Sequence, residues 1–164
     1  MRVKKWALLA ALAVLICTWL LVLATRVSTP CEDYEEKLRA AERTEACIRV
    51  VHDLKLEMDI PINTASDIND TGVIGQDYSV ITTTLGELEA KRTSTNPNMA
   101  AVVVDMFHEL GLQPGDKVAV NCSGSFPALN IAVMCAVDTL GLDPMLISSF
   151  GASPHGANGP ELTY

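Results

Sequence analysis

Three short stretches bring together residue types that could hold or attack a carboxylate-bearing substrate. Residues 122–127 read CSGSFP, in which Gly124 permits a tight turn and the hydroxyls of Ser123 and Ser125 stand at the start of a helix. Unpaired N–H groups at such a start, joined by two hydroxyls, suit an anion. Residues 150–159 read FGASPHGANG and offer Ser153, His155 and Asn158. His155 is a candidate base for Ser123 or Ser125, although no aspartate to orient it is identifiable, so the three stop short of a triad. Residues 91–97 read KRTSTNP and set Lys91 and Arg92 beside Thr93, Ser94, Thr95 and Asn96 where a helix begins. Basic groups there oppose the helix dipole, so a ligand carboxylate paired with Arg92 would give them a use. A salt bridge from Arg92 to Glu87 or Glu89 is the structural alternative. The expected binding set is therefore Lys91, Arg92, Thr93, Ser94, Thr95, Asn96, Ser123, Gly124, Ser125 and Ser153. The catalytic candidates are Ser123, Ser125 and His155.

Other chemistries lack their patterns. Neither a GxSxG elbow nor a Walker loop occurs, so no hydrolase nucleophile of that kind and no nucleotide cofactor is expected. No CxxC or Cys/His cluster has metal-ligand spacing, and NDTG (residues 69–72) lacks the carboxylate pattern of an EF-hand, so no metal is expected.

These residues need elements to position them. Residues 32–58 carry Tyr34, Leu38, Ala41, Ile48, Val51, Leu54 and Met58 at helical intervals, which predicts one long amphipathic helix. Pro61 closes it, and the polar residues 62–80 read as an irregular connection, with helical pattern resuming at 85–91. Asn96 and Pro97 predict a helix over 97–110 stopped by Gly111. A buried strand over 117–121, a helix from Pro127 to about residue 140 stopped by Gly141, and a strand over 144–149 then form a βαβ unit. The fold class is α/β with a parallel sheet, and both candidate loops lie beyond the carboxyl ends of its strands, where ligands bind in such sheets. A two-stranded parallel sheet buries its faces poorly, so residues 59–164 look like an incomplete α/β domain, truncated at the C-terminus.

Ahead of all this, residues 6–25 hold no charge and span about 30 Å as a helix, enough to cross a bilayer. Arg2, Lys4 and Lys5 precede the run and acidic residues follow it, which puts the tail of residues 1–5 in the cytoplasm and the bulk outside. A cleaved signal peptide is the competitor. Its apolar core is usually shorter, so a retained single-pass anchor contacting the lipid bilayer is the expectation. Cys17 reads as an ordinary apolar residue of that helix. Without Arg2, Lys4, Lys5 and Arg26, eight basic residues face twenty acidic ones, a net charge of −12 that disfavours nucleic acid. Cys31, Cys47, Cys122 and Cys135 lie outside the apolar run, and their spacing leaves three pairings open.

Residues 81–97 (ITTTLGELEAKRTSTNP), 114–130 (PGDKVAVNCSGSFPALN) and 147–153 (ISSFGAS), in this order behind one membrane helix, resemble the bacterial poly-gamma-glutamate system protein family. The likeness covers roughly residues 60–164. It implies a cell-envelope protein that works with the membrane proteins making or exporting a capsule-type γ-glutamyl polymer, and a chain that continues further in other members. It supplies no catalytic residues. The leading expectation is a membrane-anchored accessory component of that system, more readily a non-enzyme. An envelope hydrolase or transferase acting on the polymer, and an anchored small-molecule-binding α/β domain, are the alternatives.

Overall fold

The computed structural model describes residues 4–163, and the expectations for Arg2 and for the last residue, Tyr164, lie outside the described residues. The chain divides into two compact units, Met1–Glu32 and Asp33–Tyr164. The first contains α1, Lys5–Ala24, a helix of twenty residues with no buried side chain and with the length and apolarity needed to cross a membrane.

The second unit is mixed α/β. Helix α2 spans Tyr34–Glu57, α3 Leu88–Ser94, α4 Met99–Glu109 and α5 Pro127–Thr139; β1 is Lys117–Ser123 and β2 Asp143–Ser149. Glycines stop α4 and α5 as expected, by one mechanism. Gly111 (φ 70°) and Gly141 (φ 65°) turn left-handed, so that Leu112 N–H donates to Phe107 O at 3.2 Å and Leu142 N–H to Val137 O at 3.0 Å. This motif satisfies carbonyls that the helix end would otherwise orphan. Asp59 (φ 54°) ends α2 in the same way, with Ile60 N–H donating to Lys55 O at 2.8 Å.

Helices α2, α4 and α5 pack on one another through Ala40, Ala100, Val104, Ala132 and Ala136, each fully buried. Four alanines in that cluster let the helix backbones approach closely, while Met99, Val103, Phe107 and Leu140 close its edges. A second cluster, Ile48, Val73 and Ala128, seats the irregular segment after α2 against α5. The apolar stripe expected on α2 is therefore displaced: Ala40, Ala41, Thr44 and Ile48 form its buried face, whereas Tyr34, Leu38, Leu54 and Met58 are exposed. Small residues, rather than large ones, face the tightest helix contact.

Strands β1 and β2 pair in parallel from Lys117↔Asp143 to Ser123↔Ser149, with α5 between them in sequence. β1 is not the buried strand that its apolar run predicts, since only Cys122 in it is buried, and Met145, Leu146 and Ile147 of β2 are exposed. Residues 150–163 are also more ordered than a plain loop. They contain β3, Asn158–Gly159, paired antiparallel with β4, Leu162–Thr163, and Ala152 bridges to Thr82. Asn98 precedes α4 without a side-chain cap bond, and the capping-type bond is made by the expected residue, Asn96, whose side-chain oxygen accepts from Asn98 N–H at 3.0 Å.

Cys47 of α2 and Cys135 of α5 bring their sulfurs to 3.9 Å, which selects one of the three pairings. Both are free thiols; burial pushes the Cys135 thiol up, and the exposed Cys47 is the side open to an oxidant. Mild oxidation of the folded chain is expected to join these two and no other pair, which peptide mapping checks. The bond would close a loop 88 residues apart in sequence, so it should stabilise the fold by up to about 4–5 kcal/mol on the chain-entropy account. Of the five free thiols three should still titrate after oxidation, and five would overturn the pairing.

Candidate functional site

Helix α3 has only seven residues, and one of them, Lys91, is 1% exposed. Its stem crosses to the carboxyl edge of the parallel pair. There the ammonium donates to the backbone oxygen of Ser125, donates to Ser153 Oγ at 2.7 Å, and sits 3.5 Å from the centre of the Phe126 ring. Three contacts thus engage a group with three protons, two as hydrogen bonds and one through the negative face of an aromatic ring. Among the described residues no carboxylate lies within ion-pair distance of Lys91. Burial without a counter-charge pushes its pKa down to about 8.

The two edge loops meet as the βαβ reading requires. Ser153 N–H donates to Ser125 Oγ at 3.0 Å, and Ala157 N–H donates to Gly124 O at 2.7 Å. Contact this close demands glycine: a Cβ on Gly156 would stand 2.4 Å from Gly124 O, and one on Gly124 would stand 3.0 Å from the Ala152 methyl. Ser125 is consequently not the cap of α5; Phe126 occupies that position, without a side-chain bond. Ser123 Oγ accepts from Ser125 N–H at 3.3 Å, and Ser123 O accepts from Asn130 Nδ2 at 2.7 Å.

His155 stands apart from both serines. Its buried Nδ1 faces Asp77 at 3.4 Å, close enough for an ion pair but without hydrogen-bond geometry. Its backbone, at φ 59°, pairs with Gly75 and Gln76. Asn158, fully buried, clamps the same segment by accepting from Gln76 N–H at 2.9 Å and donating to Gln76 O at 2.9 Å and Thr82 Oγ1 at 3.1 Å. Asp77, Phe126, Asn130 and Gln76 are absent from the expected set. Phe126 and Asn130 lie inside the stretches already singled out, whereas only spatial proximity reveals Gln76 and Asp77.

Residues 91–97 divide between two places. Arg92 turns away from the serines: its Nε donates to Ser66 O and its Nη2 to Ala65 O, both at 2.8 Å, and its Nη1 meets Glu89 at 2.5 Å. Lys91, not Arg92, is the cation that meets CSGSFP. Thr93, Ser94 and Thr95 each return their hydroxyl to a carbonyl three or four residues back, on Glu89, Lys91 and Arg92. Arg92, Thr93, Thr95 and Asn96 instead line a polar cleft of about 810 Å³ together with Arg49 and His52. Asp53, 3.0 Å from His52 Nδ1, raises the pKa of that imidazole. A separate apolar cleft of about 530 Å³ lies along Val51, Leu54, Lys55 and Ile74, where burial pushes the Lys55 pKa down.

The Lys91 arrangement predicts a pH signature. Its folded pKa lies below the ordinary 10.5, so the unfolded chain binds more protons between about pH 8 and 10.5, and folding stability rises across that window. The gain should reach up to about 3 kcal/mol relative to pH 7. Lys91→Met should remove it, as denaturant titrations of both chains at several pH values would show. Equal slopes in both would place the titration elsewhere.

No family model matches this chain, and comparison with curated proteins and with solved structures finds no match for it.

Proposed function

We propose that this chain is a membrane-anchored accessory component of a bacterial poly-gamma-glutamate synthesis and export system, single-pass, with its N-terminus cytoplasmic and its α/β unit outside the cell membrane. One observation carries the reading. The three stretches on which the resemblance rests are far apart in sequence, yet Lys91 from the first, Ser125 and Phe126 from the second and Ser153 from the third close into a single node. The partners in this reading are other membrane proteins of the system, with the γ-glutamyl polymer itself as a ligand. The acidic composition opposes broad adhesion to such a polyanion and leaves only a local contact for it.

A second reading, an envelope hydrolase or transferase acting on the polymer, has one observation in its favour. Lys91 Nζ lies 2.7 Å from Ser153 Oγ with a pKa of about 8, which is the geometry of a serine served by a lysine base. Neutral Lys91 would take the Ser153 proton as Oγ attacks a γ-amide carbonyl, then give it to the departing amine; water or another amine would release the acyl group. Both groups are nearly fully buried, so this reading also requires the segment containing Gly86, which covers Ser153, to move.

Topology is the first check: a reporter fused after Tyr164 is expected to be active outside the cytoplasm and inactive within it, and the reverse pattern would overturn the orientation. For function, deleting the gene from a polymer-producing bacterium that carries it is expected to lower surface polymer. The full chain should restore it, and a chain lacking residues 1–26 should not. Ser153→Ala restores the polymer if the role is accessory and fails to if Ser153 is the nucleophile. Unchanged polymer after deletion would remove both readings.

A further inference from the structure

Three histidines each have carboxylates nearby, and they differ in how the carboxylates are placed. Around His52, Asp53 lies 3.0 Å from Nδ1 and Asp70 lies 3.6 Å from Nε2, so the two flank opposite ring nitrogens and cannot share one ion with the ring. His155 has Asp77 alone at 3.4 Å. At His108 both carboxylates face the same nitrogen: Glu36 Oε2 is 2.7 Å and Asp33 Oδ2 is 3.9 Å from Nε2. One atom from each of the three lies within 4.8 Å of the others.

We infer that Asp33, Glu36 and His108 form a binding site for a divalent transition metal of the Zn²⁺ class, an assignment independent of the poly-gamma-glutamate reading. One imidazole and two carboxylates are a donor set that such ions accept, with the remaining position left to water. Ligand bonds of ~2.1 Å at tetrahedral angles set donor atoms about 3.4 Å apart, and the observed 2.7 and 3.9 Å straddle that spacing. Side-chain shifts of under about 1 Å would centre an ion, and the three residues, half-buried or exposed, have room to make them.

The fold fixes the donors from two elements. Asp33, at φ 56°, is the cap residue of α2 and Glu36 lies in its first turn. His108 stands in the last turn of α4, and Lys37 with Asp105, joined at 2.5 Å, holds the two helices in register one turn away. The positive end of the α2 dipole opposes a cation there, while the negative end of α4 favours it, so the helix fields largely cancel. Two carboxylates and a neutral imidazole then leave a net charge that a divalent ion balances. The neighbouring Arg39 reaches only the other Glu36 oxygen, at 3.9 Å. A bound ion would staple the start of α2 to the end of α4.

The test uses the full chain in detergent micelles, stripped of metal and titrated with Zn²⁺ by calorimetry, with Co²⁺ as the optical probe. One Zn²⁺ per chain is expected, along with a rise in melting temperature and a Co²⁺ spectrum free of sulfur charge-transfer bands. His108→Ala and Glu36→Gln should each weaken binding by at least about tenfold and abolish the melting shift. Asp33→Asn, which keeps size and polarity, covers the case in which a harsher change disturbs the fold, while His52→Ala should bind as wild type does. Absence of binding, binding unchanged in the His108 and Glu36 variants, or a thiolate spectrum pointing to Cys47 and Cys135 would overturn the site.

Discussion

A lysine ammonium held out of water without a counter-charge is the constraint on which the carboxyl edge of this domain depends. Removing an ion from water costs several kcal/mol unless its hydrogen-bonding capacity is met in place. Lys91 meets it with Ser125 O, Ser153 Oγ and the Phe126 ring, which belong to two loops and follow two different strands. Each acceptor is therefore fixed where the ammonium needs it. Release of either loop would leave a charge facing nothing, so the loops and α3 are held as one unit rather than three. Glycine completes the arrangement. At Gly156 the chain approaches Gly124 O so closely that only a missing Cβ leaves room beside the Ala157 to Gly124 hydrogen bond.

The same economy explains why the polar residues nearby look so rich in sequence and so occupied in space. The hydroxyls of Thr93, Ser94 and Thr95 satisfy their own helix, Ser123 and Ser125 accept backbone N–H groups, and Arg92 serves two carbonyls of the 65–66 turn. Short connections that carry many polar residues often use them as substitutes for a ladder of backbone bonds. On the sheet, by contrast, Met145, Leu146 and Ile147 stand in solvent, as does Phe150 just beyond it. The polar loops are ordered and the apolar strand is open, the reverse of what residue type alone suggests.

Much of the secondary structure was legible because its signals are local. Gly111, Gly141 and Pro127 mark helix ends by backbone conformation, and the order of helices and strands over 97–149 follows from them. The charge-free run at the N-terminus needs only its length and composition. What was not legible depended on phase or on distance. Lys91 and Arg92 are neighbours on a helix of seven residues, so they point about 100° apart, and sequence does not say which one faces the serines. Arg92 drew attention because guanidinium suits carboxylates, yet the residue turned inward is the lysine. The stripe on α2 holds at Ala41 and Ile48 but not at Tyr34, Leu38, Leu54 and Met58, because the closest helix contacts are made by small residues, four of the five in that cluster being alanine. Asp33, Glu36 and His108 could not be seen as a group at all, since 72 residues separate the last two.

The two functional readings converge on the protonation of one nitrogen. While Lys91 is charged, its protons are directed at Ser125 O and Ser153 Oγ, so the Ser153 hydroxyl is an acceptor and its own proton points elsewhere; the node is then a clamp. Only the neutral amine offers a lone pair to that hydroxyl. With a pKa of about 8, roughly a tenth of the chains carry a neutral Lys91 at pH 7. The charged, clamped state is therefore the resting one at that pH, although burial works against the charge. Any event that brought a carboxylate-rich chain against the node would strengthen the charge, because a nearby anion favours the ammonium. A nearby anion would therefore reinforce the clamp and suppress the base, because both effects follow from the charge state of the one nitrogen.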